Sequence, residues 1–122
     1  MDLAYGGFMV SKRVLAGVPI GYTFRKQMAH RELNGWIAYS VQDDDAYVAD
    51  PANFQIVTAP ALLSAWPHSR ALLEIFDVPY GTDLGWVYEQ GVLTGFWDMS
   101  HDRAIGHEEI LAGGAVADEE QR

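Results

Sequence analysis

The densest group of side chains that could do chemistry lies in GWIAYSVQDDDAYVADPANF, residues 35–54. Asp43, Asp44 and Asp45 stand side by side, Asp50 follows, and Tyr47 and Phe54 are threaded among them. Aspartates this dense fit three roles: a metal site, a capped turn, or an acidic docking surface. A calcium loop of the EF-hand kind wants acids at alternating positions, glycine at the sixth and glutamate at the twelfth. Counted from Asp43, those two places hold Val48 and Phe54, so that motif is absent. Consecutive aspartates in a strand point to opposite faces and cannot all reach one ion unless the loop is irregular. A turn capped by one aspartate and an acidic protein-binding surface carrying Tyr47 both remain open.

The other reactive groups make weaker patterns. His101 and His107 flank acids in SHDRAIGHEE, but they are six residues apart with a glycine between. A zinc-protease helix needs two histidines four apart, with glutamate after the first. His30 and His68 stand alone. Ser40, Ser64, Ser69 and Ser100 lie in no G-x-S-x-G elbow. GVPIG lacks the lysine and hydroxyl of a phosphate-binding loop. No catalytic constellation, cofactor or metal is expected.

Alternation and turn residues place the elements around the aspartates. GFMVS (7–11) reads as a first strand and PIGYTFR as a second, with Gly17 at a turn. Together they predict an N-terminal antiparallel hairpin or meander. GWIAYSV reads as the next strand, with Trp36, Ala38 and Ser40 on one face and Ile37, Tyr39 and Val41 on the other. DAYVAD fits one helical turn capped by an aspartate and stopped before Pro51. NFQIVT reads as a strand with a buried apolar run. PALLSAW and PHSRALLEIF begin with proline, a favoured first helical residue, and Pro67 should break or kink what precedes it. Leu72, Leu73 and Phe76 form a plausible buried stripe. Pro79 and Gly81 end that helix in a turn. TDLGWVYEQGVLTGFWDM reads as a closing hairpin turning at Gln90-Gly91. The expected architecture is α+β: an antiparallel sheet with one or two short helices packed on one face. Residues 1–105 form the expected domain. Residues 106–122 form an acidic C-terminal tail, weakly helical at first and then partly disordered.

Composition bounds the function. The 122 residues are 49% apolar and 20% charged, the balance of a globular chain able to bury a core unaided. There is no cysteine, so disulfides and thiol chemistry are excluded. The first ten residues carry no basic start and no long apolar run. No stretch approaches the ~20 apolar residues of a membrane helix, so a soluble, cytoplasmic protein is expected. Residues 1–42 hold five bases and two acids, whereas residues 43–122 hold three bases and fifteen acids, for a net charge of −9. That balance opposes nucleic acid as direct partner, since the phosphate backbone needs clustered Lys and Arg. It favours a basic protein partner. Four tryptophans and six tyrosines are many for this length. Most belong in a core, and any exposed beside the acids would make good interface anchors.

The central run resembles a known bacterial family. Gly35, Trp36, Ser40, the triplet Asp43 to Asp45, Tyr47, Asp50, Pro51, Asn53 and Phe54 are similar to the signature of the thirty-third class of immunity proteins of polymorphic toxin systems. Upstream, VSKRVLAGVPIGYTFR resembles that family's opening through Val14, Gly21, Tyr22 and Arg25, with Pro19 departing from it. Downstream, LLEIFDVPYGTDLGW is similar through Leu72, Leu73, Pro79 and Gly81, with Leu84 or Trp86 in place of an aromatic. The resemblance covers about residues 7–97. It implies an α+β domain without enzymatic activity that binds and neutralises a cognate toxin. On that reading Asp43, Asp44, Asp45, Tyr47 and Asp50 are the expected partner contacts. Trp36, Ser40, Asn53, Pro79 and Gly81 are the expected structural residues. The alternative is a small accessory domain that binds a ligand or peptide with no toxin involved. A hydrolase would need a deep pocket with convergent polar groups.

Overall fold

Strand β1 (Gly7–Ser11) alternates up to its last residue: Phe8 and Val10 are fully buried while Met9 turns the other way. Ser11 ends the strand and starts a helix, its Oγ accepting the Arg13 N–H at 3.2 Å. Helix α1 (Lys12–Leu15) buries Val14 and leads to β2 (Ile20–Arg25). In this computed structural model residues 6–27, 33–65 and 70–116 are described.

Strand β3 (Leu33–Ser40) lies between β1 and β2, parallel to the first and antiparallel to the second. The expected N-terminal hairpin is therefore corrected: β1 and β2 do not touch as neighbours. β3 buries Trp36, Ala38 and Ser40 on one face and leaves Ile37 only 9% exposed on the other. A strand apolar on both faces is most stable in the middle of a sheet, and β3 takes that place.

Strand β4 (Phe54–Val57) pairs antiparallel with β1 at the edge. Its expected buried run is also corrected. Gln55 and Ile56 are exposed and Val57 alone is buried, because an edge strand has a neighbour on one side only. β5 (Asp83–Glu89) and β6 (Val92–Asp98) form the expected hairpin. Gln90 and Gly91 have φ of 53° and 82°, the two positive values of a type I′ turn. Strand β7 (Arg103–Ile105), not anticipated from the sequence, adds a last edge. The sheet runs β4-β1-β3-β2-β5-β6-β7, antiparallel except for β1 with β3. The chain is thus α+β.

Helices α2 (Asp45–Val48), α3 (Ala59–Ala65), α4 (Arg70–Glu74) and α5 (His107–Leu111) complete the elements among the described residues. α1, α3, α4 and α5 share one core with a single face of the sheet. Val14, Leu62, Leu72, Ile75 and Ile110 meet Phe8, Val10, Trp36, Leu84, Trp86 and Phe96 there. Residues 106–116, read from the sequence as the start of a tail, carry α5, bury Ile110 and Ala115 completely, and bridge Val116 to Thr82. The expectations for His30, Trp66, Pro67, His68, Ser69 and residues 117–122 lie outside the described residues.

Several residues of the family-like signature hold this frame. Arg25 Nη1 donates to the Phe76 and Val78 carbonyls at 2.7 and 2.9 Å, and its Nε donates to Asn34 O at 2.9 Å. The Trp36 indole N–H donates to the same Phe76 carbonyl at 3.1 Å. The chain leaving α4 is thereby fastened to the sheet. Pro79 and Gly81 form the next turn: Thr82 Oγ1 donates to Pro79 O at 2.7 Å, and Gly81 N donates to Arg25 O at 2.6 Å with φ of 97°. Gly21 is required by closeness, since a Cβ there would stand 2.8 Å from Val41 Cα.

Candidate functional site

Residues 41–53 form an arm that leaves β3, crosses the end of β1 and enters β4. Its aspartates do different work. The Asp43 carboxylate is enclosed: it accepts the Ser40 backbone N–H and the Ser40 hydroxyl, both at 2.7 Å, and meets Arg13 Nη1 at 3.3 Å. Its side chain has no exposed surface. Asp44 caps α2 by accepting the Tyr47 N–H at 2.9 Å. Asp50 caps a 3-10 turn, Pro51–Asn53, by accepting the Ala52 N–H at 3.0 Å. Asp45 lies exposed in the first turn of α2, where a negative charge suits the free N–H groups.

The remaining arm residues lock the shape. Arg13 lies over the Tyr47 ring, 3.9 Å from its centroid, and donates to Gln42 O at 2.9 Å. Asn53 Nδ2 donates to Tyr47 O at 2.9 Å. Of the five expected contacts, Asp44, Asp45 and Asp50 are exposed, Tyr47 is half-buried beneath Arg13, and Asp43 faces inward.

The arm also walls a groove that sequence reasoning missed. The groove has a volume of about 570 Å³ and is lined by Met9, Ile37, Tyr39, Val48, Pro51, Phe54, Gln55 and Ile56. Strand register explains its position. Met9 is level with both Ile37 and Ile56, and all three point away from α1, α3, α4 and α5. Next to it, Tyr22, Phe24, Tyr39 and Phe54 form an aromatic chain with ring centroids 5.4–5.6 Å apart. Farther across the same face, Val87, Trp97 and Met99 are exposed. The signal was present in the sequence as apolar residues on the second face of β1, β2 and β3. It could not be assembled without knowing which strands adjoin.

Burial is the main reason the Tyr22 and Tyr39 hydroxyls ionise at higher pH than usual, reinforced by Asp83 and Asp43 respectively. Both phenols stay neutral at pH 7, and the Tyr22 O–H is directed to the Asp83 carboxylate. Burial also raises the Asp83 carboxyl, with the Tyr22 hydroxyl opposing that rise and Asp98 adding to it.

The groove lining holds one phenol and one amide but no carboxylate or imidazole, so it has no acid-base pair. The two C-terminal histidines are engaged elsewhere. His101 Nδ1 meets the fully buried Asp98 at 2.8 Å, beside Arg103 Nε at 3.3 Å. His107 meets Glu74 at 3.3 Å. Among the described residues no three His, Asp or Glu side chains are placed to share a metal ion. No described helix is long and apolar enough to cross a membrane.

Over residues 8–94, from β1 into β6, the chain matches the family model described as the Immunity protein Imm33 domain. The chain belongs to that family, which supports an immunity-protein role. No curated protein and no solved structure matches it.

Proposed function

We propose that this protein acts in the cytoplasm, binding a cognate toxin by direct contact and neutralising it without chemistry of its own. One observation carries the choice of surface: an apolar, aromatic groove on the sheet face that the helices leave uncovered, walled by an arm bearing exposed Asp44, Asp45 and Asp50. A basic toxin would be drawn by the chain's charge of −9 and anchored by Tyr39, Phe54 and Ile56. Asp43 is a structural member of the arm on this reading, with the other aspartates supplying the field.

The test is co-purification with any secreted toxin encoded beside this protein's gene, and survival of cells expressing both. Reversing Asp44, Asp45 and Asp50 to Lys should slow association, whereas Tyr39→Ala should speed dissociation by about tenfold or more. Full protection and unchanged rates in both variants would move the interface elsewhere. A toxin left uncaptured by the unaltered protein would remove the role.

The groove volume favours a second reading, because about 570 Å³ falls within the ~300–1,000 Å³ range of small-ligand pockets. That accessory-domain function predicts saturable binding of an apolar small molecule with no toxin partner.

A further inference from the structure

Strand β4 is the open margin of the groove. It pairs with β1 and with no other strand among the described residues, so one side of its backbone faces outward. An open edge is a template for another strand, and proteins usually blunt it with a charge, a proline or a bulge. Phe54–Val57 contains no charge and no proline, and its register with β1 is unbroken over four pairs. Ile56 is 55% exposed where a guarded edge would carry lysine. The opposite edge is guarded by charge: β7 carries Arg103, which is held by Asp98 and Glu109.

Resting on the reading that a partner protein sits on this face, we infer that β4 accepts an extended segment of that partner as an added strand. The segment is apolar at alternate positions and carries Lys or Arg at the end beside the arm. Side chains alternate along a strand, so every second residue of the segment would share a face with Phe54 and Ile56 and reach the groove. The 3-10 turn Pro51–Asn53 leads directly into β4, so the end of the segment meets a rim of exposed carboxylates. A second copy of this chain is the poorer occupant, because it would bring another acidic arm and another net −9 to the same edge.

The probe is a short synthetic peptide alternating leucine and threonine, with two lysines at each end, titrated into the full chain and followed by amide NMR. Expected are shifts at Met9, Ile37, Tyr39 and Ile56, with slowed hydrogen exchange at the outward amides of β4. Replacing the lysines with glutamates should weaken binding by about tenfold or more, as should methylating alternate peptide nitrogens. Ile56→Lys, a surface change that leaves the fold intact, should do the same.

Equal binding of the glutamate or N-methylated peptide would overturn the inference, as would shifts centred elsewhere. Self-association through β4, seen by sedimentation, would also overturn it. Toxin protection that survives Ile56→Lys, with no peptide bound, would sink strand addition and leave the immunity role standing. Peptide bound at β4 with no toxin captured would do the reverse.

Discussion

Arg25 shows what one side chain does here. Its guanidinium serves three backbone carbonyls and lies 5.0 and 4.9 Å from the ring centroids of Phe76 and Tyr80. Arg25→Ala takes one donor from each of those carbonyls, with Phe76 O keeping the Trp36 indole N–H, and should cost about 2–4 kcal/mol in urea unfolding. Arg25→Lys keeps the charge but not the planar fork, so it should recover only part of that loss. Asp83 gives a prediction in pH. Burial raises its carboxyl above the ordinary 3.8, so the folded state prefers the neutral form. That preference stabilises the fold below the unfolded value and is lost as pH rises through the higher folded one. Asp83→Asn should therefore match the unaltered protein near pH 3 and become the more stable of the two by pH 7, as read by denaturant midpoints. The residue types in the aspartate segment were legible, and so was the cap. The inward turn of Asp43 was not, because Arg13, which helps enclose it, is thirty residues away in sequence.

At the scale of elements, the arm stays in place through its caps and the sheet through close approaches. Asp44→Ala removes the α2 cap and should cost about 1 kcal/mol, read as faster exchange of the Tyr47 and Val48 amides. Gly21→Ala forces a Cβ to 2.8 Å from the Val41 backbone and should cost about 1–3 kcal/mol in global stability. The hairpin through Gln90-Gly91 and the one-turn helix before Pro51 were readable because their causes lie within a few residues. The lateral order of the strands was not: alternation says which residues share a face, not which strand lies alongside.

For the whole molecule, the division of faces matters most. Helices α1, α3, α4 and α5 cover one side of the sheet, and the other presents apolar and aromatic surface beside the arm's negative rim. If the toxin docks there, its association rate should fall by roughly tenfold between low and physiological salt, with dissociation little changed. Stopped-flow measurements across ionic strength would check this.

The sequence by itself determined six of the seven strands, the capped turns, the tight hairpin, the family and the sign of the charge. These follow from alternation, local hydrogen bonding and composition, none of which needs a distant partner. Tertiary structure alone decided that β3 enters between β1 and β2, that Asp43 faces inward while its neighbours face out, and that Met9, Tyr39 and Ile56 close around one groove. The first and last depend on burying both faces of a central strand and the second on Arg13 reaching Asp43, and neither free energy exists until segments far apart in the chain have met.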